Sequence, residues 1–166
     1  MAENFLDKVY DAGDPEETRA LYDAWAASYD TEIAANGYAT PGRVADALFR
    51  FNKSPEAPVL DYGCGTGLSG LALKLAGFPT IDGMDPSHEM LDGARRKGVY
   101  RSLIPLDLGD PAPIPAGIYG AITCIGVIGT GAAPATTLHI VLRALPPAGL
   151  LGFSLNDHAL ADPRYE

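Results

Sequence analysis

A carboxylate followed by glycine at every second position, Asp61-Tyr62-Gly63-Cys64-Gly65-Thr66-Gly67, is the stretch best equipped for chemistry. Val59 and Leu60 lead into it, and apolar residues at helical spacing (Leu68, Leu71, Ala72, Leu75) follow at once. That order predicts a strand, a tight turn and a helix. Alternating glycines strip the turn of side chains, so a small ligand can lie on bare main chain at the positive end of the following helix. Gly65-Thr66-Gly67-Leu68-Ser69-Gly70 also spells G-x-G-x-x-G, the dinucleotide fingerprint. Asp61 weighs against that reading, because a carboxylate at a strand end attracts a cationic amino group and repels a pyrophosphate. An amino-acid-bearing cofactor is favoured, with NAD as the alternative.

Two further carboxylates end predicted strands. Asp85 closes the apolar-leaning run from Pro79 and precedes Pro86 and the helix cap Ser87. There it can accept both hydroxyls of a ribose diol, or act as a turn or N-cap residue. A ribose is common to both cofactor classes, so Asp85 does not separate them. Asp107, with Leu108 beside it, closes a third strand over Tyr100 to Leu106 and is open to a plain loop role as well. Met90 falls inward on the helix from Ser87 to Lys97, and core packing is its simplest role. Asn156 and His158 follow a fifth strand near the ligand end of the sheet, where they could meet an acceptor, and a plain loop histidine is the simpler reading of His158.

The run Val59-Leu60-Asp61-x-Gly63-x-Gly65-x-Gly67 resembles the first motif of the class I S-adenosylmethionine-dependent methyltransferases. Tyr22-Asp23-x-Trp25-Ala26-x-x-Tyr29-Asp30, Asn36-Gly37-Tyr38 and Pro41-Gly42-Arg43-Val44 are most similar to the methyltransferase-like proteins of the Williams–Beuren syndrome critical region. The resemblance implies S-adenosylmethionine as cofactor, held by Asp61, Gly63, Cys64, Gly65 and Gly67 at the turn and by Asp85 and Pro86 at the ribose. It further implies that Met90 flanks the adenine, and that Asp107 and Leu108 recognise its edge. Tyr22, Trp25 and Tyr29 become candidates for a lid over the methionine end; their helical spacing alone reads equally as buried packing.

Methyl transfer from a sulfonium is an in-line displacement with an activated leaving group, so alignment of donor and acceptor is the main task. A general base is needed only where the acceptor must lose a proton. No catalytic residue and no metal ligand set is therefore assigned. The rim Cys124-Ile125-Gly126-Val127 lacks both the Asn/Asp-Pro-Pro-aromatic signature of enzymes that methylate base amino groups and the Pro-Cys of the cytosine-carbon enzymes. By resemblance this implies a small-molecule acceptor. Family members usually continue with a further helix and two strands, so a non-catalytic adenosylmethionine-binding domain or an inactive fragment stays open.

These residues need a scaffold, and the pattern from Val59 onward supplies one. Strand and helix signals alternate, predicting an α/β Rossmann-like doubly wound parallel sheet of five strands with helices on both faces, without the usual C-terminal strands. A single domain over 1–166 is expected, with an N-terminal helical lid segment over 1–52 and a Rossmann-like core over 53–166, truncated at its C-terminal end. Asp14-Pro15-Glu16-Glu17 opens a helix running to about Tyr29, and Thr40-Pro41 announces a second. The fourth and fifth strands are expected over Ile118 to Ile125 and Gly149 to Asn156, with a helix over Pro134 to Leu145 between them. Strand five is then an apolar edge, which predicts either a longer natural polypeptide or a homodimer through that edge.

Composition bounds the rest. The 166 residues are 47% hydrophobic and carry a formal net charge of -9, enough for a real core and the wrong sign for nucleic acid. Two cysteines suggest no disulfide framework. The N-terminus does not read as a signal peptide, and the apolar run from Ile118 to Ala133 is too short and glycine-rich to span a bilayer. A cytoplasmic protein with no membrane partner is the expectation.

Overall fold

The computed structural model describes residues 38–165, together with Glu16, Ala20 and Thr31. The aromatics Tyr22, Trp25 and Tyr29 lie outside the described residues. From Thr40 the elements are α1 (Thr40–Phe51), β1 (Val59–Tyr62), α2 (Leu68–Ala76), β2 (Ile81–Asp85), α3 (His88–Lys97), β3 (Ser102–Pro105), β4 (Ala121–Cys124), α4 (Thr137–Ala144), β5 (Leu150–Phe153) and α5 (Asp157–Leu160), followed by a 3-10 turn, Pro163–Tyr165. The strands pair in parallel in the order β3-β2-β1-β4-β5. This is the expected Rossmann-like sheet. Its order reverses between β1 and β4: the first two crossovers, β1 to β2 and β2 to β3, run one way, and the chain then returns to add β4 and β5 on the other side of β1.

Every residue of β1, β2 and β4 is buried, as parallel strands covered on both faces must be. Successive residues feed opposite cores. Val59 and Ala121 pack with Ala45, Leu48, Leu73 and Phe78 beneath α1 and α2, while Leu60 and Ile122 pack with Val141 and Ala144 of α4. The period of two along a strand dictates that division. Phe78 is fully buried and meets Phe49 edge-on at 5.2 Å.

Punctuation read from the sequence is present. Ser87 caps α3 by accepting from the Met90 N–H at 3.1 Å, and Gly77 ends α2 in the left-handed region at φ 117°. Strand ends differ more. The run expected to stay extended to Asn156 stops at Phe153, because the Asn156 side chain accepts from Ala159 N–H at 2.8 Å and starts α5. Ile118 is exposed and outside β4, whose ladder begins at Ala121. β5 is an edge of the described sheet, as expected; Phe153 is 42% exposed there, while Gly152 packs against Val44 and Leu48 of α1.

A polar clasp that the sequence reading did not anticipate joins three strands. Arg101, next to β3, donates to both oxygens of buried Asp82 at 3.0 and 2.6 Å, and the Tyr119 hydroxyl before β4 donates to the same carboxylate at 2.9 Å. Burial and then acceptance by Asp82 push the Tyr119 phenol up to about 12.

Ala148, in the turn entering β5, has φ 65°. Cβ crowding in that region costs an L-residue roughly 1 kcal/mol, a cost glycine avoids. Ala148→Gly is therefore expected to raise stability by about 0.5–1 kcal/mol, read as a higher urea midpoint at unchanged slope. No helix of the described residues is long and apolar enough to cross a membrane.

Candidate functional site

The site grows out of the end of β1. Gly63 and Cys64 both donate their N–H groups to Met84 O, at 2.7 and 2.9 Å, so the chain leaves the sheet beside β2. Gly63 and Gly67 have φ of 72° and 94°, and Gly67 N–H closes the turn on Cys64 O at 3.0 Å. Lys97, from the end of α3, donates to Thr66 O at 2.7 Å and pins the far side. At Gly65 no atom lies within 4 Å of where a Cβ would project. The turn thus presents bare main chain to open space.

Asp85 ties this turn to the next. Its Oδ2 accepts from Gly65 N–H and its Oδ1 from Ser87 N–H, both at 2.9 Å, with only 8% of the residue exposed. A carboxylate has about four acceptor positions, so bonding to these two N–H groups does not by itself exclude a contact with a diol. The role of turn residue and that of ligand contact are compatible here.

Around the two turns lies a cleft of about 370 Å³ at the carboxyl ends of the strands. Its lining includes Gly63, Cys64, Gly65 and Thr66 of the glycine turn, Asp85, Pro86, Ser87 and Met90 after β2, and Leu106, Asp107, Leu108 and Asp110 after β3. Tyr38, Pro41, the rim Ile125 to Val127, and Ala132, Ala133, Pro134 and Ile140 line it as well. This is the switch-point crevice where open α/β sheets present ligands. A smaller cavity of about 210 Å³, lined by Arg95, Arg101 and Ser102 among others, includes no residue of the glycine turn.

Eight residues picked from the sequence, Gly63, Cys64, Gly65, Asp85, Pro86, Met90, Asp107 and Leu108, are thereby brought to one surface. Met90 is 1% exposed, so it serves the core and the cleft wall together. Asp107 makes the loop contact considered for it, accepting from Gly109 N–H at 2.8 Å, while lining the cleft. Leu108 is 52% exposed, apolar area that a planar ligand would cover.

Asp61 and Gly67 require correction. Asp61 is fully buried beneath the turn and does not line the cleft. Ser69 Oγ and the Tyr100 hydroxyl donate to its Oδ2 at 2.6 and 2.7 Å, and Thr123 Oγ1 to its Oδ1 at 3.1 Å. The expected direct hold on a cationic amino group is replaced by an internal one. Burial raises its pKa, and the three hydroxyl donors oppose the shift. Gly67 faces inward against Ala94 and Tyr100, not outward onto the cleft. Asn156 and His158 sit at the start of α5 and line no part of the cleft.

Cys64 lines the cleft in a setting that disfavours its thiolate. Burial first, then the nearby Asp61 and Asp85 charges, push its thiol well above the usual range. Cys124 is fully buried and raised by the same burial, and both cysteines are free. Burial likewise lifts Tyr62 to about 12. Two contributors, Tyr38 and Tyr100, lay outside the sequence reading of the site, and a third, Val127, belongs to the rim that it named. Tyr38 places its hydroxyl against Gly126, Val127 packs on Gly63, and Tyr100 reaches under the turn. Tyr38 carried one available signal, an aromatic just before a proline-started helix; Tyr100 carried none.

A family model described as a methyltransferase domain matches residues 37–165. Human "Methyltransferase-like protein 27" is 35% identical over 134 residues, covering 79% of this chain and 54% of that protein. The Saccharomyces cerevisiae "18S rRNA (guanine(1575)-N(7))-methyltransferase" is 35% identical over 82 residues, 49% of this chain and 30% of that protein. The chain thus spans about half or less of these relatives' length. Among solved structures, the DhpI–SAH complex superposes with a TM-score of 0.64 at 25% identity, covering 82% of this chain and 67% of that one.

Proposed function

Because the chain belongs to the methyltransferase-domain family, we propose that its cleft binds S-adenosylmethionine and that the protein transfers the methyl group to a small-molecule acceptor. The observation that carries the reading is the open, side-chain-free face of Gly65, bonded at 2.9 Å to a cleft-lining carboxylate, Asp85. Such a surface fits an adenosyl amino acid. Main chain from Gly63 to Gly65 approaches it closely, Asp85 accepts its ribose hydroxyls, Met90 and Leu108 flank its base, and Asp107 accepts from the exocyclic amine. Tyr22, Trp25 and Tyr29, within an N-terminal segment over 1–52, serve as the lid in this reading, and 53–166 as the core of the same domain.

When bound, the cofactor supplies a methyl group already activated by its sulfonium. The protein's share is then orientation and exclusion of water. The rim from Ile125 to Val127, which lines the same cleft as Tyr38 and Pro41, is where an acceptor would meet it. Tyr38, whose hydroxyl lies against Gly126, borders that surface.

A small acceptor is supported by the formal net charge of -9, since a polyanion needs a basic face to bind. The similarity to the yeast rRNA methyltransferase favours a second reading, in which the acceptor is a base in RNA. The cofactor is tested by calorimetric titration with S-adenosylmethionine, S-adenosylhomocysteine and NAD. Saturable micromolar binding of the first two and none of NAD is expected; the reverse would install the dinucleotide alternative. Transfer of labelled methyl to a panel of small amines, hydroxyls and thiols, beside total rRNA, then decides the acceptor. Label on the rRNA alone would overturn the small-molecule reading, and binding without transfer to anything would favour a non-catalytic domain.

A further inference from the structure

Asp61 is held by a residue whose position in the sequence announces nothing. Tyr100 stands in the link between α3 and β3, and its ring runs beneath the glycine turn. Its hydroxyl donates to Asp61 Oδ2 at 2.7 Å and accepts from Gly70 N–H at 3.1 Å. Gly70 is the third residue of α2, so its N–H is one of the four that a helix start leaves without an intrahelical partner. In dinucleotide-binding turns such donors serve the ligand; in this chain the phenol takes this one from inside.

Three glycines make room for that ring. A Cβ at Gly70 would overlap the Tyr100 Cζ and hydroxyl, one at Gly83 would fall 3.0 Å from Cε1, and one at Gly67 3.1 Å from Cε2. The final glycine of the embedded G-x-G-x-x-G is thus accounted for by an internal aromatic, not by a pyrophosphate. Burial first, then the Asp61 charge, hold the phenol pKa far above its ordinary value, so the hydroxyl remains a proton donor.

We propose that Tyr100 is a positioning residue, a strut that sets the height and tilt of the Gly63–Gly67 turn by bridging Gly70 N–H and Asp61. Removing its hydroxyl lets the turn relax away from the cofactor's amino-acid tail while the Asp85 side of the cleft keeps its bonds. Only the ligand arm of the test rests on the cofactor reading.

The experiment compares wild type, Tyr100→Phe and Tyr119→Phe. Tyr119→Phe deletes another buried tyrosine hydroxyl, one bonded to Asp82 outside the cleft, and so controls for a general loss of stability. Amide hydrogen exchange by NMR is read residue by residue, and affinities for S-adenosylhomocysteine and adenosine are titrated well below the melting temperature. In Tyr100→Phe, exchange is expected to rise about tenfold at 65–70 and not in α4, and S-adenosylhomocysteine affinity to fall about tenfold with adenosine affinity falling far less. Tyr119→Phe leaves both patterns as in wild type. Unchanged exchange at 65–70, acceleration spread evenly over α2 and α4, or equal loss of both ligands would each overturn the strut. Failure of the wild type to bind either ligand would sink the cofactor reading, and the exchange pattern would still decide on Tyr100.

Discussion

Asp85→Ala is expected to lower S-adenosylmethionine affinity by about a hundredfold, roughly 2.7 kcal/mol. The carboxylate is 8% exposed and accepts from Gly65 and Ser87 N–H groups at once. Alanine leaves both donors without that acceptor, at about 1–3 kcal/mol for the buried Ser87 N–H and less for Gly65, which faces the open cleft where water can replace the lost partner. Part of that cost falls on folding and part on the ligand, which loses its ribose contact and meets a displaced Gly65. Asp85→Asn separates the two contributions. The amide keeps the shape and one acceptor oxygen, but turns its NH₂ toward a donor N–H. It should bind about tenfold more weakly than wild type and ten times better than alanine. Titration calorimetry gives the affinities and thermal unfolding without ligand gives the stability share. Wild-type affinity in Asp85→Ala would reduce Asp85 to a turn residue.

Why some of this was legible and some was not follows from what each residue answers to. The glycine turn could be read because its requirement is local: backbone near φ 72° at Gly63 and 94° at Gly67 excludes most side chains whatever surrounds it. Ser87 and Gly77 were legible for the same reason, since caps obey rules within three or four residues. Parallel strands announced themselves as apolar runs, and alternating strands and helices led to the sheet.

Asp61 was misread because both faces of β1 are buried, so proximity to the turn was taken for exposure to the ligand. Parity contained the answer. Val59 points under α2, and a residue two further along shares that side. Tyr62, on the other parity, is the one that lines the cleft. Bonds between distant residues left no pattern at all: Tyr100 to Asp61, and Arg101 to Asp82. The end of β5 was missed for a smaller reason, an Asn cap hidden at the end of an apolar run.

Gly63→Ala carries the second large expectation, because two separate costs meet at one atom. At φ 72° an L-residue is crowded by its own backbone, for about 1–2 kcal/mol. The added Cβ would also fall within the surface of the Val127 methyls, and overpacking of this kind costs about 1–3 kcal/mol. A total loss of about 2–5 kcal/mol is expected from urea unfolding. Val127→Ala in the same chain removes the collision and leaves the backbone term, so the double variant should recover about half of the loss instead of adding to it, a coupling read from the four-protein cycle. The contact joins two parts of the cleft lining, since Gly63 follows β1 and Val127 belongs to the rim beyond β4. Pushing Val127 outward therefore also moves the surface proposed to meet the acceptor, and transfer in Gly63→Ala should fall further than cofactor affinity does. Additive losses in the cycle would mean that Val127 gives way freely, and that the close approach at Gly63 answers to backbone conformation alone.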